Sequence, residues 1–379
     1  MIGNLPTIYR NNSQNIQLVA LCKEKYVKEF GFDKILHPLI SDLKILENEG
    51  LKFSNPENNS EEYIRGSVFA VLGDNLGSHQ IGGFTENFST SEYFCRFCVY
   101  TREDLKNFDL HIKTLRNPEN YAKYLNSDFD KGIKFNSPLN ELKYFHVCQP
   151  GLPPCLSHDL FEGIISLDLM KIFNYFQKEN IISLHCINQT LSFFVKKFKL
   201  RLSFPKMQFN AKKISGKCDE VWHIIILLPL IFLKSPIKCS ESFWGFVTSM
   251  VEICRIICSP QLNRDQIQLL THFLHTYFEY RKKCFPYEKL LPKHHYVMHY
   301  PDLIRKLGPL KSLWTMNFEN KHQYFKSIIK NSKNFKNVVL TLSERHQLMQ
   351  ASLFDDRFKT GIVVKNAINF TNDMMINLT

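Results

Sequence analysis

The chain has 379 residues, 44% of them hydrophobic and 13% aromatic, which is enough for two or three domains around a large packed core and excludes a disordered polymer. Its formal net charge of +12 points to a polyanionic partner, nucleic acid before anionic membrane, against the plainer reading of a lysine-rich solubilising surface. The eleven cysteines are odd in number and widely spread, unlike the framework of a small secreted domain. The first residues lack the basic and apolar regions of a signal peptide, and the longest apolar run, His223 to Leu233, is interrupted by Pro229 and too short to span a bilayer. A reducing intracellular compartment and no membrane partner are therefore expected.

In chain order, apolar spacing predicts a helix over 14–30 and a second from Asp33, a plausible N-cap, to Glu49, closed by Gly50. The Asn-rich stretch 53–66 reads as a loop. Ser67 to Leu72 is a continuous apolar run, the pattern of a strand buried on both faces, and Gly73-Asp74-Asn75 ends it as a turn. Helices are expected over 158–178, 188–200, 219–234, 242–258 and 262–284, with a basic loop over 201–218. The organisation this predicts is a small α/β part over 1–100, an all-α insertion over 101–290, a helical return over 291–356, and a loose tail over 357–379.

Four groups of residues carry chemistry. Asp74, at the end of the expected strand, is placed where open α/β sheets bind ligands and could hold a hard cation, although Asp-Asn there is also an ordinary turn. Cys95 and Cys98 have the spacing of two thiolates sharing one tetrahedral metal, or of two buried thiols or a redox pair. A second half-site lies far downstream, where His295 and His299 fall one helical turn apart and His294 and His299 are five apart. Glu319 follows Asn317, a candidate helix cap, and shares a helix face with Lys326, Lys330 and Lys333. That face could meet a phosphate backbone, or be solvated Glu–Lys pairs.

In order and spacing these features resemble the catalytic core of the DDE transposases of the CACTA, Mirage and Chapaev group and of the related V(D)J recombinase. Cys95 follows Asp74 by 21 residues and Glu319 follows His299 by 20. Cys155-Leu156-Ser157-His158 matches the family's Cys-or-Asp, two residues, then His, and the strings around Leu72-Gly73-Asp74-Asn75, Ser157 to Gly163 and Leu307 to Glu319 are similar to those of transposase-related proteins. The likeness covers roughly residues 65–330.

The resemblance implies an α/β plus α fold, a partial ribonuclease-H-like sheet interrupted by a large all-α insertion. It implies structural Zn²⁺ on Cys95, Cys98, His294 and His299, with His294 preferred to His295. It implies a remnant Mg²⁺ or Mn²⁺ site at Asp74 and Glu319, with His158 near the scissile phosphate and Lys326, Lys330 and Lys333 on DNA. The family's first catalytic Asp, on an opening strand before Asp74, has no counterpart here: the earliest Asp is Asp33, in a helix cap. The chain resembles a fold entered midway, and its phosphoryl-transfer site is expected to be impaired. The resemblance further implies a nuclear location and transposon-end DNA as ancestral partner, with a homodimer compatible with it. The competing reading is a zinc-stabilised DNA- or chromatin-binding module without catalysis.

Overall fold

The computed structural model describes residues 3–10, 12–55, 60–127, 131–201, 203–233, 240–333 and 335–359, and for 7, 8, 13, 233 and 354–359 the backbone only. The chain forms two compact units, one of Tyr26–Asn317 and one of Met1–Lys25 with Phe318–Thr379.

The larger unit opens with α2 (Glu24–Asn48), following the short α1 (Thr7–Arg10) of the smaller unit. Two helical runs meet in α2 at Gly31, whose φ of 75° is open to glycine at little cost, and the second run ends before Gly50. The expected helix over 14–30 is corrected: Ser13–Asn15 is a single 3-10 turn and 16–23 is irregular. Strands β1 (Leu51–Ser54) and β2 (Glu61–Ile64) pair antiparallel, Leu51 opposite Ile64, β2 and the second half of β1 falling in the stretch expected to be a loop.

These two strands make the only sheet among the described residues. The expected strand over 67–72 has no regular secondary structure and pairs in no sheet there. Val68, Ala70, Val71 and Leu72 are half-buried, Val68 and Val71 against one core cluster and Ala70 and Leu72 against another, while Ser67 and Phe69 are exposed. A continuous apolar run fits two-sided burial, but burial within a sheet also needs neighbouring strands, and among the described residues no ribonuclease-H-like sheet forms around this run.

The remaining α-helices, joined by irregular segments, are α3 (Asn75–Ile81), α4 (Arg102–Lys106), α5 (Pro118–Leu125), α6 (Ser166–Lys178), α7 (Leu184–Lys197), α8 (Cys218–Leu233), α9 (Glu241–Ile257), α10 (Arg264–Cys284), α11 (Pro292–Met298), α12 (Tyr300–Leu307), α13 (Met316–Ser332) and α14 (Val338–Lys359). The insertion helices form because their apolar residues recur at helical spacing and their ends are capped, Ser183, Ser240 and Asn263 each accepting a first-turn N–H. Their apolar stripes merge into one core, through Phe173, Phe176, Ile224, Phe246, Ile257 and Phe278.

A wide-turned π-helix over Ser157–Ile165 leads into α6. Gly163 is needed there, since a Cβ would meet the His158 carbonyl oxygen at 2.6 Å. Among the described residues no helix is long and apolar enough to cross a membrane. In the smaller unit, the His346 ring and the Gln350 amide of α14 lie on the backbone carbonyls of Ile16 and Gln14.

Candidate metal centre

The loop carrying Cys95 and Cys98 has little regular structure of its own and is held from outside. Val99 N donates to Thr114 O at 2.9 Å, and Arg116 N donates to Phe97 O at the same distance. The buried Arg116 side chain donates through Nε to the Cys95 carbonyl at 2.9 Å. Arg96, between the cysteines and also buried, reaches Asn75 Oδ1 at 2.8 Å and Pro153 O at 3.0 Å, and its guanidinium lies 4.3 Å from the Phe97 ring centre. These ties turn both thiols inward, with Phe97 N donating to Cys95 Sγ at 3.3 Å.

From the far end of the chain, α11 begins at Pro292, where a missing N–H costs nothing. His295 and His299 are one turn apart, so both rings face the cysteine loop. Cys98 Sγ is 3.2 Å from His295 Nε2, Cys95 Sγ is 3.6 Å from His299 Nε2, and the two Nε2 atoms are 3.1 Å apart. All four residues are buried and their ligand atoms lie within 4.8 Å of one another. A tetrahedral zinc with bonds of about 2.0–2.3 Å needs ligand–ligand edges of roughly 3.3–3.8 Å, close to these separations. The Tyr100 ring stacks on His295 at 3.7 Å and Phe97 lies 5.1 Å from His299, shielding the centre from water.

The protonation pattern suits a cation. Burial alone would raise Cys95, but the hydrogen bond from Cys98 and the His295 and His299 charges outweigh it and hold the thiol well below its ordinary value. Burial and the neighbouring thiolate push Cys98 the other way. His295 is lowered, chiefly by burial, with Cys95 opposing the shift. Two thiols and two imidazoles facing one point, one thiol already inclined to lose its proton, could hold a structural metal such as zinc.

The expected ligand His294 is corrected to His295. One residue away means about 100° around the helix, and His294 points to a different neighbourhood. Its Nδ1 accepts from Leu291 N at 2.9 Å and its ring lies 6.1 Å from Phe278. Burial, then the Arg281 charge, pulls His294 down to about 3.

The other expected site residues do not join this cluster. Asp74 is the N-cap of α3, its exposed Oδ1 accepting from Gly77 N at 2.7 Å. It occupies a helix start, not the end of a sheet strand. His158 is half-buried, with Nδ1 3.0 Å from Cys155 Sγ, and its carbonyl accepts from Lys293 Nζ at 2.6 Å. Glu319 lies in the first turn of α13, so Asn317 is inside that helix and does not cap it. Glu319, Lys326, Lys330 and Lys333 are exposed, Lys333 just past the helix end. Glu319 belongs to the smaller unit and Asp74 to the larger. Among the described residues, the Cys–His cluster is the one group of three or more potential ligands placed to share an ion.

Sequence reasoning missed Asp159, in the string Ser157 to Gly163. Fully buried, it accepts from Asn75 Nδ2, and burial raises its carboxyl above the usual range against the opposing Arg96 charge. Asn75, Arg96 and Asp159 thus tie α3, the cysteine loop and the π-helix together. No family model and no curated protein matches the chain.

Proposed function

We propose that the protein is a zinc-stabilised DNA-binding protein of DDE-transposase descent, acting in the nucleus and without robust phosphoryl-transfer activity as it stands. The observation that carries this reading is the convergence of Cys95 and Cys98 with His295 and His299 across some two hundred intervening residues. The half-sites keep the order seen in the transposase group, thiol pair, helical insertion, then histidine pair. Once bound, zinc would clamp the cysteine loop to α11 and supply folding free energy rather than chemistry.

DNA contact is assigned to the exposed lysines of and after α13, Lys326, Lys330 and Lys333, backed by the +12 charge. Two-metal strand transfer needs several carboxylates converging on paired Mg²⁺ or Mn²⁺ ions. Asp74 instead spends an oxygen on capping α3, and its assigned role is that cap. His158, bonded to Cys155, is assigned a structural role on the same grounds.

The test is duplex binding by the full chain at two salt concentrations, beside a nicking assay with Mg²⁺ or Mn²⁺. Affinity should fall linearly in log–log form with salt, by about 0.9 per neutralised phosphate, and nicking should stay at background. Salt-independent binding removes the phosphate contacts from the account, and strong metal-dependent nicking restores an enzyme.

A further inference from the structure

A second charged surface lies between α7 and α8, within the larger unit. No Asp or Glu occurs between Glu179 and Asp219, and that interval contains eight Lys and Arg. Lys196, Lys197, Lys199 and Arg201 crowd the end of α7 and the residues after it, all exposed. Lys206, Lys212, Lys213 and Lys217 continue along the loop, also exposed.

The loop is built rather than slack. Asn188 on α7 brackets one residue of it, accepting from Met207 N at 2.8 Å and donating to Met207 O at 3.1 Å. Asn174 on α6 brackets a second point, accepting from Asn210 N and donating to Ala211 O, each at 3.1 Å. Ile214 N donates to Ser166 O at 3.1 Å, and the Met207 and Ile214 side chains are buried in the core. The cations are therefore presented on a fixed frame, so little ordering entropy is lost when an anion binds.

Aromatic rings are interleaved with these cations. Phe193, Phe198 and Phe209 are 45%, 48% and 53% exposed, and Lys197 Nζ lies 5.5 Å from the Phe193 ring centre. The apolar stripe of α7, Ile187, Leu191 and Phe194, is already buried in the core. What remains outside is a mixture of rings and charges, not the segregated apolar face with which a helix enters a bilayer. A duplex would use the charges but hides its base faces, leaving the rings without a role.

We propose that this face, of residues 193–201 and 203–217, binds single-stranded nucleic acid, the lysines on phosphates and the exposed phenylalanines on unpaired bases. The assignment is independent of the metal cluster and of the α13 lysines.

The test uses the full chain with a labelled mixed-sequence single strand, the matching duplex, and vesicles of phosphatidylserine in phosphatidylcholine. The wild type should prefer the single strand. The variant K199Q/R201Q/K212Q/K213Q should flatten the salt dependence for that strand by about 0.7 for each phosphate it no longer neutralises. Phe209→Ala should weaken single-strand binding roughly 5- to 150-fold and leave duplex binding unchanged. All these positions are exposed, so melting temperatures should stay near wild type; the smaller variant K212Q/K213Q should move the slope in the same direction. Equal or tighter binding of the duplex that persists in K326Q/K330Q, preference for the vesicles, or wild-type behaviour of the loop variants overturns the proposal. A K326Q/K330Q variant separates the two surfaces: loss of binding there alone removes this loop and leaves the function proposed above.

Discussion

The two sides of α11 offer a comparison within one short helix. On one side, His295 and His299 meet two cysteines, with the Cys98–His295, Cys95–His299 and His295–His299 ligand atoms 3.1–3.6 Å apart. On the other, His294 lies in the field of Arg281 and Asp168. There Asp168, fully buried, accepts from Arg281 Nε at 3.0 Å and from the Tyr277 hydroxyl. The Arg281 charge holds Asp168 below the usual carboxylate range although burial opposes it. Both sides bury polar groups at a cost that must be offset. The ionic side supplies its own counter-charge, whereas the Cys–His side brings four donors together with only a partial proton-sharing solution. On the ionic side the charges are paired, although Asp168 Oδ1 and His294 Nε2 are buried without a hydrogen-bond partner, and the Cys–His side could be completed by a cation such as zinc.

The largest effect should come from removing both thiols. Structural zinc contributes about 10–16 kcal/mol in zinc-finger peptides, so Cys95→Ser/Cys98→Ser should lose the cooperative thermal transition of the larger unit. Wild-type melting in this variant, with or without a chelator, would erase the contrast between the two sides.

Breaking the ionic side should cost less and leave the metal untouched. Arg281→Met strands Asp168 without its partner, at about 3–5 kcal/mol by denaturant unfolding, while Asp168→Leu/Arg281→Met should recover much of that loss. A fall in zinc content with Arg281→Met would show that the sides are not independent.

A third neighbour of the helix sharpens the comparison through pH. His79, whose ring lies 6.4 Å from that of Tyr296, is pulled down to about 3 by burial and by the Arg96 charge. The unfolded chain takes up this proton first, near 6.5, so stability is full above that value and falls as pH drops towards about 3. The slope should reach about 1.4 kcal/mol per pH unit, and His79→Asn should flatten it in melts recorded from pH 7 to pH 4. An unchanged pH profile in that variant would assign the acid sensitivity elsewhere.

The smallest effect should be at Asp74. As an exposed N-cap it contributes about 1 kcal/mol, so Asp74→Ala should lower stability by that order and leave zinc content unchanged. Loss of a metal-dependent activity in this variant, with stability unaltered, would return Asp74 to a catalytic role.

The insertion helices are legible in the sequence because their signal is local: apolar residues at helical spacing and caps such as Ser183 and Asn263. The run at 67–72 misleads because a strand's pairing is set by distant chain, and apolar character carries no information about whether a partner lies alongside. The β1–β2 hairpin is hidden by polar residues such as Glu61 and Glu62, tolerable on a two-stranded ribbon exposed to water. The cysteine and histidine half-sites are legible from spacing. The choice between His294 and His295 turns on helix phase, and the four-residue interval to His299 already contains the answer. Asp159 leaves no local signal, since its partners Asn75 and Arg96 lie 84 and 63 positions away.

The central claim is that Cys95, Cys98, His295 and His299 form one metal centre. Its most direct test is zinc content per chain, measured by elemental analysis on the wild type, His295→Asn and His294→Asn after equal exposure to zinc. The wild type and His294→Asn should each hold one zinc tightly, and His295→Asn little or none. No zinc in the wild type, or loss in His294→Asn with retention in His295→Asn, would contradict it.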